Sequence, residues 1–105
     1  MTDVVIVLTT VPDEDLGEQI ARACVDERLA ACVTIGAPMT SVYRWNGAVT
    51  RERELPLTIK TTAARVAALK ERLHAWHSYD VPEFVVLPVV EGSLEYLDWV
   101  RQQTT

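Results

Sequence analysis

Val4 to Leu8 is an unbroken apolar run, mostly β-branched. Such a run suits a strand buried on both faces, and so a central one. Thr10-Val11-Pro12-Asp13 stops it. Asp13 is placed to cap a helix over about 13–28, with Glu14 and Asp15 against the positive end of its dipole. Leu16, Ile20, Ala23 and Cys24 then follow at helical spacing.

From Ala31 to Thr61 the period changes. The segment alternates and is rich in Val, Thr, Tyr, Ile and Trp, with Asn46-Gly47 near its middle. Asn-Gly between strands predicts a hairpin, because a type I′ turn needs positive φ at both central residues. That turn pairs Trp45 with Ala48, Tyr43 with Thr50 and Ser41 with Glu52. It also sets Ala37-Pro38 opposite Leu55-Pro56, where neither proline can donate to the ladder. The level reads as a bend or bulge that divides the hairpin into a body half and an arm half.

Thr61 and Thr62 open the next predicted helix. Val66, Leu69, Leu73 and Trp76 form its apolar stripe, with Arg65, Lys70, Glu71 and Arg72 outside. Ser78-Tyr79-Asp80-Val81-Pro82 ends it. Phe84 to Val90 reads as a last long strand, with Pro88 arguing for an edge position. Ser93 caps a short final helix whose Leu94, Leu97 and Val100 face inward, while Tyr96 and Trp99 pack it onto the sheet.

The order is β-α-β-β-α-β plus a C-terminal helix. This predicts an α+β, ferredoxin-like fold with the first strand central and the last at an edge. Each hairpin strand of about 14 residues would reach roughly 46 Å. A domain of this size is roughly 33 Å across, so a long β-hairpin should protrude from its own body. It carries Val42, Tyr43, Trp45 and Val49 near its tip. A lone two-stranded ribbon is marginal in water, so the expected cover is another copy of the chain. Arg51-Glu52-Arg53-Glu54 puts both arginines on one side of the ribbon and both glutamates on the other. The pattern suits either a solvated edge or pairing across subunits.

Composition narrows the picture. The chain has 105 residues and 11.8 kDa, enough for a single domain over 1–105 and too short for two cores. It is 49% hydrophobic and 24% charged with few Gly and Pro, which excludes disordered and low-complexity classes. Net charge is −5, with ten basic residues scattered among fifteen acidic ones. That argues against nucleic acid and anionic membranes as partners. Cys24 and Cys32 read as reduced, partly buried thiols. The start lacks a basic n-region, and its apolar run is too short for a signal or a membrane span. The expected location is cytoplasmic.

No phosphate loop, Walker motif or Gly-x-Ser-x-Gly is present, so no catalytic set points to an enzyme. Two clusters remain. His74-x-x-His77, with Asp80 and Glu83 nearby, reads either as a metal site or as two surface histidines favoured by a helix C-terminus. Tyr43, Trp45, Glu54, Lys60, Tyr79, Glu83 and Trp99 form a polar-aromatic set. Lys60 is expected beside Glu83.

Leu29-Ala-Ala-Cys32-Val, Ser41-Val-Tyr-Arg-Trp45-Asn-Gly47, Glu54, Ile59-Lys-Thr61, His77-Ser-Tyr79, Pro82-Glu83, Gly92 and Tyr96-Leu-Asp-Trp99 occur in that order. With them the chain resembles the CutA divalent-cation tolerance proteins from end to end. The resemblance implies a ferredoxin-like homotrimer with interlocking hairpins, an architecture like that of PII signalling trimers, a cytoplasmic location and a link to copper and other divalent metals. Copper-associated bacterial members have a Cys at the end of the first strand and two adjacent His before the Pro/Ser-Tyr turn. Those positions here are Thr9, Trp76 and His77, so only His77 matches, with Glu54 a second acidic candidate. The resemblance thus implies a non-enzymatic protein that holds Cu2+ or Zn2+ weakly. The alternative is a PII-like small-molecule sensor with Tyr43, Trp45, Lys60, Tyr79 and Glu83 lining an inter-subunit cleft.

Overall fold

The computed structural model describes residues 2–105. The first apolar run forms β1 (Val4–Val11), which lies between two strands and is buried along most of its length. It continues past Leu8 because Thr9, Thr10 and Val11 are also β-branched and pair with Leu57, Pro56 and Leu55. α1 (Glu14–Asp26) follows, its first turn capped by Asp13, whose Oδ1 accepts the Leu16 N–H at 2.8 Å. Next come β2 (Cys32–Ile35), β3 (Met39–Trp45), β4 (Ala48–Thr62), α2 (Val66–Trp76), β5 (Val85–Pro88) and α3 (Leu94–Gln103). The result is a mixed α+β fold with an antiparallel sheet of order β2-β4-β1-β5 and three helices, β3 continuing alongside β4. Among the described residues no helix is long and apolar enough to cross a membrane.

Strand alternation assigns the two faces of the sheet. Val7 and Val11 of β1 join Leu55, Leu57 and Ile59 of β4 under Ile20, Cys24, Leu69 and Leu73 of α1 and α2. Val4 and Ala31 meet Leu97 and Val100 of α3 on the other side. α3 covers only one end of that second face. Further along, Ile6, Leu8, Thr58 and Lys60 are left half-buried.

The hairpin forms as its turn residues dictate. Asn46 and Gly47 have φ of 51° and 80°, and Trp45 pairs with Ala48, Tyr43 with Thr50 and Ser41 with Glu52. Ile35 pairs with Leu57 and Met39 with Glu54, so residues 36–38 face only 55–56. This is a one-residue bulge at the proline level. Gly36 sits in it, its N–H donating to Pro56 O at 2.9 Å. A Cβ there would lie 2.5 Å from Pro56 Cγ. Past the bulge, β3 and β4 run on as a two-stranded arm in a molecule measuring 45 × 26 × 24 Å. Val42 and Val49 on this arm are 65% and 67% exposed.

Several expectations are corrected. Thr61 and Thr62 end β4 rather than open the helix. Both are buried, and the Thr61 hydroxyl donates to Leu29 O at 2.7 Å. A short 3-10 turn, Ala63–Arg65, then leads into α2. The last strand spans four residues because Phe84 turns to pack against the main core instead. It is an edge strand, as Pro88 predicts. Ser93 precedes α3 without a side-chain cap, and Leu94 is 72% exposed, so Leu97 and Val100 alone face inward. Tyr96 and Trp99 lie ring to ring, 5.6 Å apart, and stay partly in solvent rather than sealing the helix to the sheet. Both cysteines are free. Burial, and secondarily the Glu27 charge, push the Cys24 thiol up to about 12, so it stays protonated and unreactive near neutral pH.

Candidate functional site

α2 stops at Trp76 because His77 leaves helical geometry, with φ −76° and ψ 147°. Its N–H still closes the last turn on Leu73 O, while its ring turns inward and is buried. Nε2–H donates to Thr10 O at 2.7 Å, and Nδ1 accepts the Tyr79 N–H at 3.1 Å. An imidazole that accepts at one nitrogen and donates at the other is neutral, with its proton on Nε2. The His77 and Tyr79 rings pack at 4.6 Å. Tyr79 then donates its hydroxyl hydrogen to Glu54 Oε2 at 3.0 Å. A continuous run of contacts thus joins the end of β1, the turn after α2 and the base of the arm.

Between that turn and the arm lies a groove of about 640 Å³. Ser41, Tyr43, Trp45 and Glu54 form its arm wall, and Tyr79, Asp80 and Glu83 its turn wall, with Thr10 beside them. Three carboxylates line it and no Lys or Arg does. Burial, then the bond to Glu54 and the negative charge around it, hold the Tyr79 hydroxyl above its ordinary range. Tyr79 is therefore a hydrogen-bond donor at any physiological pH. The arrangement offers acceptors and aromatic faces, which suits recognition of cations or polar organic molecules.

The structure brings Tyr43, Trp45, Glu54, Tyr79 and Glu83 together and leaves Lys60, Trp99 and His74 elsewhere. Lys60 shares the same sheet face as Glu54 but lies six residues along β4, roughly 20 Å away. Its ammonium is 5.7 Å from the centre of the Tyr96 ring, so the expected contact with Glu83 is replaced by a cation–π contact with α3. His74 is exposed, its Nδ1–H donating to Lys70 O at 2.9 Å. His74 and His77 therefore do not share a site, since the helix ends between them. For metal binding the donor set fits poorly. Both His77 nitrogens are engaged, and among the described residues no three His, Cys, Asp or Glu side chains are close enough to hold one ion. Among the described residues the buried Thr9 hydroxyl has no partner. Sequence reasoning did not foresee Thr10, whose contribution to the network is a backbone carbonyl, nor Ser41. It also missed a larger cavity of about 850 Å³ among α1, β2 and α3, bordered by Arg22, Arg28 and Trp99.

Residues 5–103 match the family described as CutA1 divalent ion tolerance protein. The chain is 54% identical to the Divalent-cation tolerance protein CutA of Thermus thermophilus, over 94% of this chain and 96% of that one. It is 43% identical to human Protein CutA over 90% of this chain and 53% of that one, so it spans about half the human relative. The solved Cut A1 structure from Thermus thermophilus superposes with a TM-score of 0.95 at 52% identity, covering 97% of this chain and 99% of that one. CutA from Xylella fastidiosa superposes with a TM-score of 0.97 at 41% identity, covering 99% and 100%. With the motif blocks, the fold and these matches in agreement, the chain belongs to the CutA divalent-cation tolerance family.

Proposed function

We propose that the protein acts as a non-enzymatic, cytoplasmic homotrimer in divalent-cation tolerance, built from one ferredoxin-like domain per chain. The strand order β2-β4-β1-β5 supports the ferredoxin-like reading. The observation that carries the assembly is the arm. Val42 and Val49 are exposed on a two-stranded ribbon that has no third strand among the described residues. The open sheet face behind it, with Ile6, Leu8, Val85 and Leu87, adds apolar surface. Apolar area of this kind is worth roughly 25 cal/mol per Å² when a neighbour covers it. The arm face bearing Val42 and Val49 also bears Arg44, Arg51 and Arg53. The groove lies against the opposite face of the arm. Light scattering on dilute protein at neutral pH should give about three times the 11.8 kDa of one chain. A folded sample at the mass of one chain removes the assembly.

Metal binding at His77 and Glu54 is weak in this reading. To ligate, His77 must give up Thr10 or Tyr79, and Glu54 is already held by Tyr79. Calorimetric titration with Cu2+ on the wild type and on His77→Ala tests this. Identical isotherms take His77 out of the site.

A second reading, a PII-like sensor with small-molecule sites in clefts at the arm, is favoured by the groove itself. Tyr43, Trp45, Tyr79 and Glu83 converge there on a concave surface, while Lys60 stands apart at α3. A melting-temperature screen separates the two readings, since only a ligand bound by the folded state raises the midpoint.

A further inference from the structure

Among the described residues, nothing balances the negative charge of the groove. Glu54 is only 9% exposed. A carboxylate largely withdrawn from water is stabilised by a counter-charge brought beside it. Its Oε2 takes the Tyr79 hydroxyl hydrogen, and among the described residues nothing bonds or pairs with Oε1. The arm's arginines stand on the wrong side. Strand pairing puts Glu52 and Glu54 on one face with Ser41, Tyr43 and Trp45, and sends Arg44, Arg51 and Arg53 to the other. Asp80 and Glu83 add acid to the facing wall. These carboxylates are spread along the groove and do not converge as ligands of a metal ion must. A cation with an apolar skin suits the spacing better. Aromatic faces attract such ions through their quadrupoles, most strongly where water is displaced.

The geometry points to the groove as a binding site for a small organic ammonium ion, seated against Tyr43 and Trp45 with its charge on Glu54. This rests on the sensor reading, in which a cleft at the arm takes a small molecule. The arm's basic, apolar face is the one that carries Val42 and Val49, and the groove lies on the other side of the ribbon.

The test monitors the indole N–H resonance of Trp45 in the full-length protein, identified by its loss in Trp45→Phe. Tetramethylammonium chloride is the probe, neopentyl alcohol its uncharged match in shape, and sodium chloride the ionic-strength control. Tetramethylammonium should give a saturable shift, neopentyl alcohol should bind about tenfold more weakly or not at all, and sodium chloride should do nothing. Glu54→Gln should weaken the ammonium about tenfold. Glu83→Gln, on the exposed wall, should weaken it about two- to threefold, and it carries the test if Glu54→Gln does not fold. Equal affinity for the two shapes overturns the charge assignment and leaves the small-molecule cleft standing. Silence towards both overturns the cleft as well. A response to zinc chloride alone assigns the groove to metal and overturns the proposal.

Discussion

The Tyr79 hydroxyl donates to Glu54 Oε2 across 3.0 Å, fastening the turn after α2 to the base of the arm. Glu54 is buried and Tyr79 half-buried, so the carboxylate finds no easy substitute. Tyr79→Phe keeps the ring against His77 and removes only this bond. It should lower stability by about 1–2 kcal/mol, since a buried carboxylate loses its donor. The urea midpoint at pH 7 measures the change, and an unchanged midpoint means the bond contributes nothing in solution.

The same bond shapes the alkaline limb of stability. Tyr79 is held above its ordinary 10.0 by burial and then by Glu54. The native state therefore keeps a proton that the unfolded chain releases. Stability from this group is complete below about pH 10 and declines as pH rises above it. Cys24 adds a window between 9.0 and about 12 with the same sign. Urea midpoints should fall steadily above pH 9, and the Tyr79→Phe curve should be flatter beyond pH 10. A parallel pair of curves would count against the Tyr79 contribution.

Thr9 offers a stabilising change. Its Oγ1 is buried with no hydrogen-bond partner among the described residues, on the face of β1 that also carries Val7 and Val11. Thr9→Val keeps the shape and replaces the stranded hydroxyl with a methyl. It should gain about 1 kcal/mol, seen as a higher urea midpoint with an unchanged slope. A loss would show that the hydroxyl has a partner in solution.

Gly36 tests the bulge. A methyl there must displace the Pro56 ring, 2.5 Å away. Gly36→Ala should cost about 1–3 kcal/mol, with exchange of the Gly47 and Thr50 amides on the arm rising more than that of the core amides. Uniform exchange across the chain would mean the arm is not separately hinged.

For the assembly, the double change Val42→Lys and Val49→Lys adds like charge to an exposed arm face that already bears Arg44, Arg51 and Arg53. It should lower the mass seen by light scattering while leaving the far-ultraviolet circular dichroism of a folded chain. Full-size particles from this variant would show that the face is not an interface.

Much of this architecture was legible because its signals are local. Asn46-Gly47 fixes both the turn and the register, Asp13 starts α1 at its expected place, and the prolines at 38 and 56 mark the bulge. What escaped depends on contacts distant in sequence. Phe84 looks like a strand residue until the core beneath α2 is present to receive it. Lys60 is a strand residue whose partner is set by where α3 lies, and that is decided by Leu97 and Val100 rather than by charge. His77 carries no mark in the sequence that its ring will reach back to a carbonyl 67 positions earlier. Five of the seven members of the polar-aromatic set, Tyr43, Trp45, Glu54, Tyr79 and Glu83, nevertheless meet in one groove. The hairpin register delivers three of them, and the short turn after α2 delivers the other two.

The extra residue among 36–38 bends the strand pair where the sheet gives way to the arm. Deleting Ala37 would leave Gly36 and Pro38 opposite Leu55 and Pro56, and both Ile35–Leu57 and Met39–Glu54 would keep their register. Tyr43 and Trp45 would still share a face with Glu54, but the ribbon carrying them would leave the sheet at a different angle. The width of the recess between arm and turn is thus governed by one residue that takes no part in lining it.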